Sequence, residues 1–417
     1  MIHYPQELEN IFKTFKQNDI YPIIVGGYIR DSFLDIESKD IDIELYNIST
    51  LQRVEELLEE FGDVNSVGKS FGVVKLLYKD LDLDFSLPRL DSKTTKGHKG
   101  FKVVVDSSLD FTKASRRRDF TINAMGFDIF KKKLLDPYGG REDLKKKILR
   151  AVDLDTFSED PLRVLRAIVF SSRFHLEIEK QLFKNAKKMI ENGCLEELPH
   201  ERIFQEIKKL LLKSDQPSLG FYLLQKLSGF LFFNEFKSLS DKELDKVFNA
   251  LDRSVTTTAN KNNKQKIIIM LALLTSKFSK KLQIQFLEKL TKQKEIIKNV
   301  TTITRIEFDL HRQSNYEIYK LATQVDISLY ISYLFALYPK KKELIKTLES
   351  KSKNLNVFTK PLKPIIEGKD LIKIGFKPSK KFSDILSDIY EKQMQELFIT
   401  KEDALPFVKE HYKTETA

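Results

Sequence analysis

The sequence has little cysteine and no long apolar run, and each absence excludes a class of protein. Cys194 is the single cysteine among 417 residues, which excludes an internal disulfide framework. No apolar stretch approaches the roughly 20 residues that a membrane-spanning helix needs. The N-terminal segment MIHYPQELENIFKTFKQ lacks the basic-then-apolar layout of a signal peptide. We therefore expect a cytoplasmic protein with no membrane partner.

Length and charge indicate a globular protein of several domains. A chain of 417 residues exceeds what one hydrophobic core usually supports, so about two to four domains are expected. The 71 Lys and Arg residues outnumber the 60 Asp and Glu residues and give a net charge of +11. This balance favours a polyanionic partner through neutralisation of phosphates. Charge alone leaves open a basic protein with no specific partner.

Short β-type runs alternate with turn signals from residue 22 to about residue 136. The runs are YPIIVGG, IDIEL, GVVKLLY, LDLDFSL, KVVV and AMGFDIF. Between them, residues 50–61 (TLQRVEELLEEF) carry apolar residues at helical spacing. From about residue 155 onward the pattern is helical, with polar breaks at 256–265 and 350–364. The sequence predicts an α+β N-terminal domain followed by an all-α remainder.

Three acids alternate with isoleucines in the segment SKDIDIE. Ile41 and Ile43 separate Asp40, Asp42 and Glu44, so the acids share one face of a strand. Neighbouring carboxylates raise each other's pKa unless a cation compensates, and Mg2+ prefers such oxygen ligands. The alternative, which an isolated D-x-D favours, is an edge strand with a solvated acidic face.

A second alternating segment, LDLDFSL, places Asp82, Asp84 and Ser86 on one face of a strand. If the two acidic strands are neighbours, an acid of the second strand can complete a metal site. We predict that Asp84 is this third catalytic carboxylate.

Two glycines, Gly26 and Gly27, separate the apolar strand YPIIV from a predicted helix that carries Arg30. Glycines let backbone N–H groups approach phosphate oxygens, although a glycine pair alone is a weak signal. Combined with the D-x-D motif, the pair suggests a nucleoside triphosphate. Two metal ions would then align an attacking hydroxyl against its α-phosphate.

Five segments in a fixed order carry a family resemblance. They are VGGYIRD with DIDIE, RRRDFTINAM (116–125), DPYGGREDL (136–144), EDPLRVLRA (159–167) and HERIFQEI (200–207). Through them the first half of the chain resembles the class II tRNA nucleotidyltransferases, the CCA-adding enzymes of the DNA polymerase beta superfamily. The resemblance implies a nucleotidyltransferase head at 1–138, a helical neck at 139–215, and a tRNA-binding body at 216–350 and tail at 351–417.

The resemblance also assigns roles to residues of this chain. Asp40 and Asp42 are implied to bind Mg2+. The positions implied to bind the nucleotide's phosphates and ribose are Gly26, Gly27, Arg30, Arg118 and Asp119. Guanidinium groups suit phosphates, and a carboxylate can accept from a ribose hydroxyl. Outside this context RRRD is equally typical of a surface ion-pair cluster. We expect Asn123 to support these groups rather than to bind a ligand.

The segment EDPLRVLRAIVFSSRF is amphipathic when it is placed on a helical wheel at about 100° per residue. One arc carries Leu162, Val164, Leu165, Ile168 and Val169, and the other carries Glu159, Asp160, Arg163, Arg166 and Arg173. Without the family this pattern is equally that of a surface helix with ion pairs.

In the family, Asp160 and Arg163 are implied to select the incoming base, with Arg166 nearby. Cytosine and adenine present an amino donor beside a ring-nitrogen acceptor. Uracil and guanine present a carbonyl acceptor beside an N–H donor. A carboxylate and a guanidinium complement the first pair and leave unpaired groups against the second. By the family's pattern, residues 89–101 form a flexible loop that helps the pocket change from CTP to ATP.

We therefore expect an enzyme that adds and repairs the 3′-terminal CCA of tRNA from CTP and ATP, with Mg2+. Its partners would be the acceptor and T arms of tRNA, with no obligatory protein partner. Alternatives are an enzyme that adds only CC or only A, and a poly(A) polymerase. The segment VGKSFGVVKLL favours tRNA, because poly(A) polymerase relatives tend to carry an Arg-rich segment there. A silent RNA-binding protein is disfavoured by the intact Asp40, Asp42, Arg118 and Asp160.

Overall fold

The chain divides into two compact units, Met1–Asn234 and Glu235–Ala417. The computed structural model describes residues 2–65, 72–93, 101–106, 108–378 and 381–412. The first unit contains a mixed sheet followed by helices, and the second is helical. The predicted fold class is thereby confirmed. The finer division into head, neck, body and tail stays a prediction.

Every strand among the described residues lies in the first unit. They are β1 (Tyr21–Val25), β2 (Asp40–Tyr46), β3 (Val64–Asn65), β4 (Val73–Tyr78), β5 (Leu81–Ser86), β6 (Arg89–Lys93), β7 (Phe101–Val105), β8 (Gly126–Asp128), β9 (Lys133–Leu135), β10 (Ile148–Leu149) and β11 (Glu177–Ile178). Seven of them form one sheet in the order β3-β4-β5-β2-β1-β8-β9. The six strand runs expected from the sequence are confirmed, whereas the short β3, β9, β10 and β11 and the strand β6 were not predicted.

The helices of the first unit are α1 (Glu9–Gln17), α2 (Gly27–Phe33), α3 (Leu51–Leu58), α4 (Phe111–Ser115), α5 (Gly140–Lys145), α6 (Leu154–Glu159), α7 (Leu162–Phe174), α8 (Lys180–Glu191), α9 (His200–Lys213) and α10 (Pro217–Lys226). Those of the second unit are α11 (Asp241–Thr257), α12 (Asn263–Leu274), α13 (Lys280–Leu290), α14 (Lys294–Arg305), α15 (Asn315–Gln324), α16 (Ile327–Leu337), α17 (Lys342–Asn354), α18 (Gly368–Lys373), α19 (Lys381–Met394) and α20 (Lys401–His411). No helix in the described ranges is long and apolar enough to cross a bilayer.

The two acidic strands are neighbours in the centre of the sheet. β2 pairs with β5 in parallel, with Asp40 opposite Asp82 and Asp42 opposite Asp84. Alternate residues of β2 point to the interior, and both Ile41 and Ile43 are fully buried. The same alternation turns the carboxylates of Asp40 and Asp42 toward solvent on the other face. Burial of the isoleucines therefore fixes the register that presents the acids.

The amphipathic segment 159–174 is not one helix, which corrects the helical wheel of the sequence analysis. α6 ends at Glu159, and Asp160 has an extended backbone (φ −114°, ψ 103°) before Pro161. A residue that precedes proline is disfavoured in the helical region, so the chain turns at Asp160 before α7 begins. The apolar arc is confirmed, because Leu162, Val164, Leu165, Ile168 and Val169 are all buried.

A small parallel sheet of β10 and β11 interrupts the region after residue 140, where the sequence predicts helices alone. Each strand has two residues, too few for a β-type alternation to appear in the sequence. In the second unit, the polar break at 256–265 corresponds to the turn between α11 and α12. Asn262 ends that turn by capping α12, where its side chain accepts from the backbone N–H of Gln265.

Candidate active site

A cavity of about 430 Å³ in the first unit brings together the acidic strand and the arginine-rich segments. Its lining residues are Gly27, Arg30, Asp42, Arg117, Arg118, Asp119, Asn123, Asp160, Leu162, Arg163, Arg166, Phe170 and Arg202. Six of them are arginines and three are aspartates. An excess of guanidinium groups over carboxylates suits a ligand with several negative charges.

Gly26 allows Arg118 to approach the acidic strand closely. The glycine lies between β1 and α2 with a left-handed backbone (φ +73°), which an L side chain rarely adopts. A Cβ atom on Gly26 would lie 2.7 Å from Nη1 of Arg118 and 3.6 Å from Oδ2 of Asp42. The missing side chain thus leaves room for a guanidinium beside the Asp42 carboxylate.

The pKa values of the Asp40 and Asp42 carboxyl groups are both raised above the ordinary value of 3.8. Around Asp42, neighbouring protein atoms displace part of the hydration shell, which raises the pKa although the side chain still contacts water. Arg118 opposes this shift, whereas the negative charges of Asp40 and Asp84 add to it. For Asp40, loss of hydration comes first and the charges of Asp84 and Asp82 follow. The strand therefore accumulates negative charge that a cation would relieve.

Asp40 and Asp42 fit a divalent cation as a pair of oxygen donors. Among the described residues, no group of three or more His, Cys, Asp and Glu side chains could hold a metal ion. Mg2+ commonly binds through one or two carboxylates and completes its shell with water and substrate phosphates. Two exposed carboxylates beside a cavity lined with arginines agree with this pattern.

Asp84 takes part in an ion pair instead of standing open beside Asp42. Both of its carboxylate oxygens accept from Nζ of Lys75 at 2.7 Å, across the antiparallel pairing of β4 with β5. The hydrogen bond to Asp84 raises the pKa of Lys75, which therefore stays charged. Asp84 does not line the cavity, and its predicted role as a third catalytic carboxylate stays a prediction.

Glu44, the third acid of the strand, holds the arginine segment in place. Its side chain is 1% exposed, and Oε2 accepts from Nη2 of Arg117 at 2.9 Å. Its other oxygen accepts from the Tyr46 hydroxyl at 2.5 Å. The Nε–H groups of Arg117 and Arg118 are buried without an acceptor among the described residues. Both guanidinium groups thus line the cavity, and each has an N–H donor that no described residue accepts.

Asp119 joins the arginine segment to helix α7 through a buried ion pair. Its Oδ2 atom accepts from Nε of Arg166 at 2.6 Å and lies 2.6 Å from Nη2 of the same residue. Its Oδ1 atom accepts from Nδ2 of Asn123 at 2.9 Å. Burial alone would raise the pKa of Asp119, but Arg166 and Asn123 outweigh it and hold that pKa below its usual range. Asp119 therefore stays ionised inside the cavity wall.

Arg30 is buried at the same wall, with 5% of its surface exposed. It donates to Asp31 and, at 2.6 Å, to Oδ1 of Asn123, as expected for an asparagine in a supporting role. Its guanidinium also lies over the rings of Phe170 and Phe174, at 5.2 and 4.7 Å from their centroids. Arg30 thus ties α2 to α7, and its predicted contact with phosphate stays a prediction.

The two residues implied to read the base are anchored at the start of α7. Asp160 accepts from the backbone N–H of Leu162 at 3.0 Å and lies 3.6 Å from Nη2 of Arg202. Arg163 donates to the backbone carbonyls of Thr156 at 2.9 Å and Arg117 at 2.5 Å. Its guanidinium carries more N–H donors than these carbonyls use. Both side chains are therefore oriented and retain hydrogen-bonding capacity.

The cavity contains most of the residues singled out from the sequence and several that were not. Gly26, Asp40 and Asp84 lie outside its lining, although Gly26 contacts Arg118, and the acids lie beside Asp42 on β2 and β5. The additional lining residues are Arg117, Leu162, Phe170 and Arg202. Arg117 and Arg202 fall within the segments RRRD and HERIFQEI, so these motifs could have identified both arginines as site residues. Most of the predicted loop at 89–101 lies outside the described residues.

Two family models match parts of the chain between residues 22 and 236. Residues 22–150 match the poly A polymerase head domain, and residues 175–236 match the probable RNA and SrmB-binding site of polymerase A. The Multifunctional CCA protein of Neisseria gonorrhoeae (strain NCCP11945) is 35% identical over 192 residues, which cover 46% of this chain and 44% of that protein. The protein of the same name from Haemophilus ducreyi (strain 35000HP / ATCC 700724) is 32% identical over 209 residues, or 49% and 48%. These matches span about half the length of the curated relatives.

Three solved structures are similar over nearly the whole chain. A CCA-adding enzyme with ATP has a TM-score of 0.72 at 23% identity, covering 98% of this chain and 97% of that one. A CCA-adding enzyme with CTP scores 0.71 at 23% identity, covering 99% and 97%. The Thermotoga maritima CCA-adding enzyme complexed with tRNA scores 0.67 at 22% identity, covering 98% and 97%. These likenesses establish the fold.

Residues 22–150 of this chain thus match a poly A polymerase head domain, and the chain has the fold of CCA-adding enzymes of known structure. These matches agree with the family resemblance found in the motifs of the first half of the chain.

Proposed function

We propose that this protein adds and repairs the 3′-terminal CCA of tRNA without a nucleic-acid template, using CTP and ATP and releasing pyrophosphate. One observation carries the proposal. A single cavity joins Asp42 of the acidic strand to the paired arginines and to the Asp160 and Arg163 set. The relatives named for CCA addition, and the similar structures that hold ATP, CTP or tRNA, support it.

Arg117 and Arg118 are proposed to bind the triphosphate of the incoming nucleotide. Their guanidinium groups line the cavity and contain N–H groups without acceptors in the described chain. Burial and the neighbouring Arg117 lower the pKa of Arg118, but an arginine stays charged at neutral pH. An anionic phosphate is the ligand that such groups favour. Gly27, at the start of α2, lines the cavity without a side chain and leaves space beside them.

Asp40 and Asp42 are proposed to hold divalent metal, with Mg2+ the expected ion. When bound, the metal would neutralise charge on the phosphates and make the tRNA 3′-hydroxyl a better nucleophile. The acidic strand contributes paired carboxylates whose pKa values are raised, first by loss of hydration and then by the neighbouring acids. Asp84 adds negative charge beside this pair, and Lys75, which pairs with Asp84, offsets part of it.

Asp160 and Arg163 are proposed to select the base. A carboxylate at Asp160 accepts from the amino group of cytosine or adenine, and a guanidinium at Arg163 donates to the adjacent ring nitrogen. Uracil and guanine would leave both protein groups without partners, which is costly in a desolvated site. The ion pair of Asp119 with Arg166 is proposed to keep α7 in register with the triphosphate site.

The proposed partner is tRNA, bound through its acceptor and T arms by the helical part of the chain. The match of residues 175–236 to an RNA-binding region supports an RNA partner, and nothing in the proposal requires a protein partner. Because tRNA and nucleoside triphosphates are cytoplasmic, we propose that the protein acts there.

Extension of three tRNA transcripts tests this proposal. One lacks the CCA end, one ends at the first C and one ends at CC, and each is incubated with CTP, ATP or both. Full CCA on all three is expected. Arrest at CC or activity only on CC ends would reassign the protein to partial addition, a long A tract would indicate a poly(A) polymerase, and no extension would contradict the proposal.

A further inference from the structure

A second cavity, of about 440 Å³, lies wholly in the second unit and takes no part in the site described above. Three of its residues, Lys246, Asn249 and Arg253, come from one face of α11, where they recur at i, i+3 and i+7. The turn after α12 adds Lys277. The end of α16 and the short 3-10 helix after it complete the lining with Leu337, Tyr338, Pro339, Lys340 and Lys341.

The charges in this cavity are of one sign. Five of its nine lining residues are Lys or Arg, and none is acidic. The lysines at 246, 277, 340 and 341 are exposed and make no ion pair with any residue in the described part of the chain. Glu243 places negative charge near Lys246 and Lys277, but its carboxylate caps α11 by accepting from Ser240 and does not line the cavity.

The basic lining is not simply a consequence of the protein's overall charge. Another cavity of the same unit, of about 260 Å³, has three acidic lining residues, Glu307, Asp309 and Glu317, against two basic ones, Arg312 and Lys320. Two cavities on one unit thus differ in charge. The lysine-lined cavity is the one that complements a polyanion.

An aromatic ring and apolar atoms accompany these cations. Tyr338 is 41% exposed, and Nζ of Lys341 lies 5.6 Å from the centroid of its ring. Leu337 and Pro339 flank the ring, and Arg253 fixes the end of α16 by donating from Nε to the carbonyl of Ala336 at 2.7 Å. Exposed aromatic rings beside lysines are the means by which proteins hold single-stranded nucleic acid, with the base stacked and the phosphates neutralised.

We propose that this cavity binds one unstacked nucleotide of an RNA, with its base on Tyr338 and its phosphates on Lys340, Lys341 and Lys246. A paired duplex presents ribose and phosphate at its surface, whereas a concave site with an aromatic ring requires a free base face. Asn249, on the cavity wall, provides an amide that can hydrogen-bond the edge of that base. This inference rests on the proposed RNA substrate and adds a nucleotide site to it.

Binding of a single-stranded RNA hexamer to the full chain tests the site. Tyr338→Ala is expected to weaken binding about 5- to 150-fold, because a stacked base loses its ring, and Tyr338→Phe is expected to retain it. Lys340→Ala with Lys341→Ala should reduce the slope of log K against log salt by about 1.4, because two phosphate contacts are lost. Lys13→Ala with Lys145→Ala, on exposed lysines of α1 and α5 outside the matched RNA-binding region, changes the charge equally and should leave binding unaltered.

Unchanged binding by Tyr338→Ala would overturn the stacking site, even if the lysine variant binds less tightly. Binding of poly-glutamate, an anion without bases, is measured for comparison. If the lysine variant loses RNA and poly-glutamate binding equally and Tyr338→Ala has no effect, the cavity is a general anion-binding surface and the nucleotide site is overturned. Extension of tRNA by the same variants is measured in parallel. Wild-type protein that binds the hexamer but extends no tRNA would contradict the proposed function while the nucleotide site still stands.

Discussion

Glu44 and Arg117 form an ion pair, with 2.9 Å between Oε2 and Nη2, that links the acidic strand to the arginine segment, and their side chains are 1% and 16% exposed. The carbonyl of Arg117 in turn accepts from Arg163, one of the two proposed base-selecting residues. One carboxylate on β2 thus connects, through Arg117, the strand of the proposed metal site to the start of α7. The sequence analysis gave Glu44 no role.

Loss of this pair should destabilise the first unit. Glu44→Ala removes the acceptor of Arg117 and Tyr46, and because the Arg117 side chain still reaches the cavity, the loss should cost about 1 to 3 kcal/mol. Glu44→Gln keeps an acceptor oxygen and should cost less. The free energy of unfolding from denaturant titration measures both. Glu56→Ala, which breaks an exposed pair with Arg53, is the control and should cost less than about 1 kcal/mol. Equal costs at positions 44 and 56 would contradict the structure.

Gly26→Ala should impair nucleotide binding beyond its effect on stability. The new Cβ atom would meet Arg118 at 2.7 Å and displace its guanidinium, so the KM for CTP should rise by about tenfold or more. Gly139→Ala is the control for a positive φ, because Gly139 has a φ of +74° but nothing within 4 Å of a new Cβ atom. Gly139→Ala should lose about 1 to 2 kcal/mol of stability, and Gly26→Ala should lose more, because its ψ of −124° lies outside the left-handed helical region that Gly139 occupies (ψ 28°). Equal KM values for the two variants would show that Arg118 does not depend on Gly26.

Asp42→Asn should abolish transfer while leaving the fold intact. A carboxylate that holds a metal at a transferring phosphate contributes several kcal/mol, so turnover should fall at least about a thousandfold. Asp82→Asn is the control, because Asp82 lies on β5 opposite Asp40, outside the cavity, and should leave turnover nearly unchanged. Steady-state extension of tRNA distinguishes the two. Residual activity in Asp42→Asn close to that of Asp82→Asn would remove Asp42 from the mechanism.

The raised pKa of Asp42 also predicts how stability and activity depend on pH. A carboxyl group whose pKa is higher in the folded than in the unfolded state lowers stability as pH rises from 3.8 through the folded value. At pH 7 the wild-type protein carries that cost, and Asp42→Asn does not, so the variant should be at least as stable. At Mg2+ concentrations below saturation, activity should fall on acidification at a higher pH than for an ordinary aspartate, because protons compete with the cation for the carboxylate.

Added Mg2+ should restore part of the stability that the wild-type protein loses by ionising Asp42. Metal bound only to the folded state stabilises it in proportion to the logarithm of its concentration, and Asp42→Asn should respond less. Thermal unfolding at pH 7 with and without Mg2+ measures the difference. Equal responses of the two proteins would place the metal elsewhere.

Much of the first unit could be predicted from the sequence, because its signals are local. Alternation of acids with buried isoleucines fixes β2, and the glycine pair marks the turn before α2. The break at Asp160 was not predicted, because a helical wheel considers only the spacing of apolar residues. It does not include the effect of Pro161, which disfavours a helical backbone at the residue before it. The partners of Glu44 and Asp119 lie 73 and 47 residues away, and such pairings depend on the sheet and helix packing.

One cavity is proposed both to carry out transfer and to select the base, and competition among four nucleotides in the Asp160→Ala variant tests this dual role. tRNA lacking its CCA end is incubated with CTP, ATP, UTP and GTP together, and the incorporated bases are sequenced. We expect the preference for C and A over U and G to fall about 10- to 100-fold, because a base-edge contact worth about 1 to 3 kcal/mol is lost. Asp155→Ala, on an exposed residue of α6, should keep the preference. An unchanged preference in Asp160→Ala would show that this cavity does not select the base through Asp160.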